Sequence, residues 1–330
     1  MPKGYHHLTS DQRCQLYTLK KRGDSPSEIA EELGVHKSTI YRELERNRGG
    51  RGYRFKQAHE KACERRSRAS SHRQKMTPGV ISIVESKIKL QWSPEQISGW
   101  LKKEENIESV SHEIIYQHIW ADKRSGGALY KHLRHSGKKY NKRSKGAAGR
   151  GCIPNRVGIE KRPSIVEQKY RLGDFELDTI IGKGHKGAIV SMVDRASKLT
   201  KLIKVSRKTA HEVGEALVSE LTPIQDFVLT LTSDNGKEFA NHRDVSMKLG
   251  ADFFFAQPYH SWERGLNEHT NGLVRQYFPK SSSFDDITQD QVKEVEILLN
   301  NRPRKVLNFL TPIEAFEALS QRSEIVALHT

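Results

Sequence analysis

The 330-residue chain carries 56 Lys and Arg against 40 Asp and Glu, a formal net charge of +16, and such an excess points to a polyanionic partner, nucleic acid foremost, because each neutralised phosphate releases counterions. The length allows two or three domains with at least one sizeable core, and the absence of any run of 18 apolar residues or of an apolar signal core in the start, Met1 to His7, predicts a cytoplasmic protein. Cys14, Cys63 and Cys152 form no Cys-x-x-Cys arrangement, which excludes a disulfide framework and a zinc knuckle.

Helix start signals appear early. Thr9-x-x-Gln12 and Ser25-Pro26-Ser27-Glu28 both have capping-box form, the second with Pro at the first helical position. In 27–35, Ile29, Ala30 and Leu33 make one apolar face and Gly34 supplies a turn. A helix over 36–46 follows, with Ile40 and Leu44 inward at i, i+4. That spacing leaves Lys37, Ser38, Thr39, Tyr41, Arg42 and Arg46 outward, the residue types that reach base edges and phosphates when a recognition helix enters the major groove. The pattern predicts a helix-turn-helix DNA-binding domain over 1–75, closed by a basic surface helix in 56–75.

A weaker copy follows. Ser93-Pro94-Glu95-Gln96 is again a capping box, leading into Ile97, Trp100 and Leu101, and Ser111 opens a helix with Ile115 and Ile119 at i, i+4. Its connection over 102–110 is longer than a tight turn, so 76–135 reads as a second helical, helix-turn-helix-like domain. Glycine and a dense positive run then mark 136–163 as a basic linker.

After Pro163 the pattern turns alternating and β-rich. Strands are predicted over 175–181, 187–194 and 199–205, then a helix over 210–221, a strand over 227–232 and further helices. This order belongs to a ribonuclease-H-like, retroviral-integrase-like α/β domain over 164–330, making the whole chain α+β. In such a fold the first and fourth strands are neighbours, so Asp178 and Asp234 face one cleft. Gly182-Lys183-Gly184-His185-Lys186-Gly187 matches Gly-x-Gly-x-x-Gly, but a strand follows instead of a helix, so it reads as a hairpin turn.

The acidic residues carry the candidate chemistry. Asp234, in Thr232-Ser233-Asp234-Asn235-Gly236, sits where a strand ends in a turn, with an Asx-turn role as the alternative. Asp174, Glu176 and Asp178 share strand parity, and Asp194 ends the second strand, so spacing leaves the partner of Asp234 open. Glu268 lies in a helix with Arg264, Asn271 and Arg275 on its face. Gly265 and Gly272 each cost that helix about 1 kcal/mol relative to Ala, a sign that another backbone or DNA approaches closely. Two strand-borne Asp and one helix-borne Glu suit two divalent metal ions.

The run Pro258-Tyr259-His260-Ser261-Trp262-Glu263-Arg264-Gly265, continuing into Asn267-Glu268 and Asn271-Gly272, is the most specific part of a likeness that spans nearly the whole chain. The chain resembles bacterial insertion-sequence transposases of the family numbered thirty, within the acidic-triad (DDE) transposases and integrases. The likeness extends to Leu298-Leu299-Asn300-Asn301-Arg302-Pro303-Arg304-Lys305 and Thr311-Pro312-Ile313-Glu314. It implies that Asp178, Asp234 and Glu268 are the catalytic, metal-holding triad, with two Mg²⁺ for which Mn²⁺ can substitute. It further implies cleavage and strand transfer on double-stranded DNA, with terminal inverted repeats read by the helix-turn-helix region. Arg264, Asn267, Asn271 and Arg275 are then expected on DNA, a homodimer or larger assembly is expected to pair two ends, and the cell's nucleoid is the expected location. Departures from the family's Gly-Asp-Trp-Glu-Gly-Asp are Phe175 and Leu177, and His269 stands where Asn is common. The competing class is a catalytically inactive, sequence-specific DNA-binding repressor.

Overall fold

A computed structural model describes residues 7–71, 76–134, 153–257 and 265–328. Its contacts divide the chain into two units, 1–77 and 78–330.

In the first unit, α1 (Ser10–Arg22) and α2 (Pro26–Glu32) both begin in reciprocal capping boxes, Thr9 with Gln12 and Ser25 with Glu28. Each box satisfies two of the amide groups that a helix start leaves without an intrahelical acceptor. The turn after α2 passes through Gly34 at φ +64°, a conformation that only glycine adopts without strain. His36 then caps α3 (Lys37–Asn47), its Nδ1 accepting from the Ser38 amide, and α4 (Phe55–Ser71) completes the unit. Leu16, Ile29, Ile40 and Ala58 are the buried centre. A buried ion pair crosses it: Arg13 Nε donates to Glu43 Oε1 at 2.7 Å, and the Tyr53 hydroxyl donates to the same oxygen at 3.2 Å.

The second unit opens with α5 (Pro78–Lys89), α6 (Pro94–Leu101) and α7 (His112–Arg124). Val84, Ile88, Ile97, Leu101, Ile115 and Ile119 are fully buried. This helical segment, expected as the second helical domain, falls within the unit 78–330 that also holds the sheet. Lys305 Nζ donates to Glu95 at 2.6 Å, and the Phe309 ring fills the place where a Cβ on Gly99 would stand.

The expected linker over 136–163 is described from residue 153 onward. Its basic run over 138–151 lies outside the described residues, but Ile153 enters the main core. Gly158 bridges Phe255 in parallel, and the buried Arg162 donates to Thr232 Oγ1 at 2.9 Å. Residues 153–163 therefore close the edge of the sheet; a count of Lys, Arg and Gly registers composition and misses such backbone pairing.

After α8 (Ile165–Gln168) come β1 (Asp174–Ile181), β2 (Ala188–Asp194), β3 (Thr200–Val205), α9 (Ala210–Leu221), β4 (Thr230–Ser233), α10 (His242–Leu249) and β5 (Asp252–Phe255). Helices α11 (Gly265–Tyr277), α12 (Gln289–Asn300) and α13 (Pro312–Leu328) follow. The described strands form one sheet in the order β3-β2-β1-β4-β5, antiparallel through β3-β2-β1 and parallel through β1-β4-β5. This is the ribonuclease-H-like arrangement, and the chain is α+β overall. Strand alternation sends Phe175 and Leu177 into a core with residues of α9 and α10, and Ile180 into a second core with residues of α11 and α12. The glycine-rich 182–187 segment is the β1-β2 hairpin loop, closed by the Gly182 amide on the Gly187 carbonyl at 3.1 Å. Among the described residues no helix is long and apolar enough to cross a membrane.

Candidate active site

Strand register sets the site. Parallel pairing places Asp174 opposite Thr230 and Glu176 opposite Thr232. The same offset, carried two residues further, brings Asp178 level with Asp234, immediately past the last residue of β4. Both are half-buried, while the strand residues before them are buried. Asp234 Oδ1 accepts from the Gly236 amide at 2.9 Å, the Asx turn expected as the alternative reading, and this bond holds the carboxylate at the end of β4. Asp178 Oδ1 accepts from the Thr179 amide at 2.8 Å. Its Oδ2 accepts from Asn271 Nδ2 on α11, also at 2.8 Å. Ser191, the cross-strand partner of Asp178, donates to Asn271 Oδ1 at 2.9 Å.

The other acids on these strands are committed to the fold. Asp174 is fully buried and accepts from Arg171 at 2.9 and 3.0 Å and from Thr230 Oγ1 at 2.8 Å. Buried Glu176 accepts from the Asn267 amide at 3.2 Å and faces Arg195 at 3.7 Å. Burial pushes its carboxyl above the ordinary value of 4.5, against the pull of Arg195. Asp194 accepts from the Gly173, Ala196 and Ser197 amides and the Ser197 hydroxyl at 2.7–3.0 Å, capping the β2-β3 turn. Arg195 is not its ion-pair partner; it reaches Glu167 at 3.0 Å and Glu176.

Glu268 is exposed on α11, one turn before Asn271 and on the same helix face, the face that meets Asp178. Among the described residues no three His, Cys, Asp or Glu side chains are gathered closely enough to hold a metal ion. The arrangement is an in-register Asp pair with the Glu on an adjoining helix. The donor chemistry suits hard divalent cations: all three are carboxylates, and a carboxylate oxygen accepting one hydrogen bond keeps a second lone pair for ligation.

One carboxylate escaped the sequence reading. Glu238, buried in a 3₁₀ turn (Lys237–Phe239), accepts from Thr179 Oγ1 at 2.9 Å and pairs with Lys208 at 2.6 Å, tying β1 to the turn that holds Asp234. A three-residue turn has no periodicity to mark it.

The residues expected on DNA fall into two groups. Lys37, Tyr41, Arg42 and Arg46 are exposed on α3, and Ser38 and Thr39 are half-buried there. Those of α11 turn inward. Asn267 is completely buried, and Asn271 is occupied with Asp178 and Ser191. Arg275 donates to the Ile181 carbonyl at 2.6 Å and lies 5.3 Å over the Phe284 ring, and burial lowers its pKa. On this face Asn271 and Arg275 meet β1, and helical spacing alone does not tell a face against β1 from one against DNA. Arg264 lies outside the described residues. Gly272 does meet a close neighbour, the Arg134 guanidinium, with Nη2 at 2.7 Å from where a Cβ would stand; nothing lies within 4 Å of such a position on Gly265. The side chain of Leu177, a departure from the family pattern, is buried in the core on the strand face opposite Asp178.

Comparison with known proteins agrees with this architecture. A helix-turn-helix domain family matches residues 4–47. Over 321 residues, 97% of this chain and 98% of the relative, the chain is 46% identical to the transposase for insertion sequence element IS4351 of Bacteroides fragilis. It is 36% identical over 327 residues to the transposase for IS1086 of Cupriavidus metallidurans, covering 94% of each. It is 34% identical over 324 residues to the transposase InsI for IS30A of Escherichia coli K12, covering 94% of this chain and 83% of the relative. The chain belongs to the IS30 family of insertion-sequence transposases.

Proposed function

We propose that this transposase binds the terminal inverted repeats of its element through α3 and catalyses metal-dependent strand cleavage and strand transfer at Asp178, Asp234 and Glu268. The observation that carries the reading is the register of Asp178 with Asp234, joined through Asn271 to the helix face of Glu268. Two Mg²⁺ or Mn²⁺ held by these carboxylates would supply Lewis-acid charge at the scissile phosphate.

The protein's own groups do the positioning. Asn271 fixes the Asp178 carboxylate, Ser191 fixes the Asn271 amide, and Glu238 with Lys208 steadies the turn that presents Asp234. Water attacks the phosphodiester at the element end, and the freed 3′ hydroxyl then attacks a target phosphodiester, so the chain contributes no nucleophile. The exposed Lys37, Tyr41, Arg42 and Arg46 suit groove and phosphate contact, and pairing two ends calls for at least two copies.

The test uses the full chain and a duplex carrying the terminal repeat. Cleavage is expected with Mg²⁺ and none with EDTA. Asp234→Asn and Glu268→Gln are expected to lower it by at least about 100-fold, the scale on which electrostatic groups of an active site act, with repeat binding retained. Undiminished cleavage in either variant would sink the triad, and repeat binding without cleavage by the wild type would favour a repressor.

A further inference from the structure

A cavity of about 670 Å³ lies between the helical segment and α11. Its walls carry Trp92, Tyr116, Trp120 and Tyr130, and Trp120 is 42% exposed, unusual for so large an apolar side chain. Cations stand over these rings: Lys123 Nζ is 4.3 Å from the Tyr130 ring centre and 5.2 Å from that of Trp120.

Arg134, Arg302 and Arg304 also line the cavity. Arg302 and Arg304 are 2% and 9% exposed, and the Nε of each is buried without a hydrogen-bond partner. Their other donors go to neutral acceptors: Arg302 to Gln276 Oε1 and, at 2.5 Å, the Tyr277 hydroxyl, and Arg304 to the Leu299 carbonyl at 3.0 Å. Buried Arg13 has Glu43 as its counter-charge; for these two the described partners include no carboxylate. Burial, and then the neighbouring Arg302, push Arg304 down to about 10. Positive charge held this way in a partly dry place calls for an anion.

We propose that this cleft is a binding site for an unpaired DNA nucleotide, its base stacked on the Trp120 and Tyr130 wall and its phosphate held by Arg134, Arg302 and Arg304. Contact with duplex phosphates alone calls for basic side chains but not for aromatic walls; a cavity of nucleotide size with aromatic walls and guanidiniums matches a base taken out of the stack. His269 and Leu273 of α11 line the same cavity, so the nucleotide sits against the helix that carries Glu268. The inference takes DNA as the polyanion from the proposed function but does not depend on the acidic triad.

The experiment measures binding of the full chain in EDTA, which removes the chemistry, to three duplexes: blunt, with a three-nucleotide single-stranded overhang, and with the same overhang made abasic. The wild type is expected to bind the base-bearing overhang about tenfold more tightly than the abasic one, the scale of base stacking on an aromatic side chain. Trp120→Ala, at a partly exposed position, is expected to erase that ratio while leaving blunt-duplex binding unchanged. Arg134→Gln is expected to weaken both overhang duplexes. Equal wild-type affinity for base-bearing and abasic overhangs, or a ratio that survives Trp120→Ala, overturns the proposal. The ratio is read whether or not blunt repeat DNA binds, so failure of the α3 reader and failure of this site are separate results.

Discussion

Asn271 Nδ2 donates to Asp178 Oδ2 at 2.8 Å, so the helix that carries Glu268 also sets the orientation of a strand carboxylate. A ligand's hydrogen-bond partner affects metal affinity or activity by about 10–100-fold. Asn271→Ala is therefore expected to lower Mg²⁺-dependent cleavage by about that factor and to move the Mg²⁺ titration to higher concentration, with repeat binding unchanged. A lost rate with an unmoved metal titration would show that Asn271 acts elsewhere.

Arg275 tests whether the inner face of α11 is structural. Removing a charged donor to the Ile181 carbonyl is expected to cost about 1.5–3 kcal/mol of stability in Arg275→Ala, read by urea denaturation. The slope of log affinity for DNA against log salt is expected to stay constant. A slope reduced by about 1 would identify a phosphate contact instead.

Arg42 is an exposed guanidinium on α3, the helix proposed to read the terminal repeat. Arg42→Ala is expected to weaken terminal-repeat binding by about 1–3 kcal/mol, the value of a good base contact, with Mg²⁺-dependent nicking of nonspecific DNA still detectable. Equal repeat affinity in gel-shift titrations would remove α3 as the reader.

The buried Arg13–Glu43 pair makes the first unit sensitive to loss of one partner. Glu43→Ala strands a buried guanidinium, a change that costs about 3–5 kcal/mol. Repeat binding is expected to fail at temperatures where the wild type still binds, with the midpoint followed by circular dichroism.

Glu176 supplies a pH signature. Its folded-state pKa is raised by burial, so the folded chain holds this proton more tightly than the unfolded chain does. Its contribution to stability is present below the ordinary 4.5 and is lost as pH rises through the folded value. Glu176→Gln is expected to make the urea midpoint fall less steeply than in the wild type as pH rises above 4.5. Identical slopes would place the titration on another group.

Much of this molecule was legible before any coordinates. Three reciprocal capping boxes stand where Thr9, Ser25 and Ser93 placed them, because such a box is encoded within four consecutive residues. The β1-β2-β3 meander and its neighbour β4 followed from alternation and from strand order. Strand β5 was missed because Phe253, Phe254 and Phe255 are all buried, so no alternation marks them. Asp178, Asp174 and Glu176 could not be separated by parity, since all three point to one side of β1. What distinguishes them is burial: Asp174 and Glu176 pair with Thr230 and Thr232 of β4 and are buried, whereas Asp178 is level with the position just past the end of β4 and is half-buried. Inward-turned Asn267 and Arg275 were illegible for a related reason, as helical spacing defines a face but not its occupant.

The Arg134 guanidinium rests where Gly272 leaves room for it, and nine residues of sequence before it α7 has ended. Helix α11 is thus gripped from two sides, by a strand through Asn271 and by the helical segment through Arg134. Arg134 meets α11 at Gly272 and Asp178 meets it at Asn271, and any tilt of α11 carries Glu268 with it. The position of Glu268 is thereby tied to how α11 packs against both of these neighbours. A side chain at position 272 would push the Arg134 guanidinium away while leaving Asp178, Asp234 and Glu268 unsubstituted.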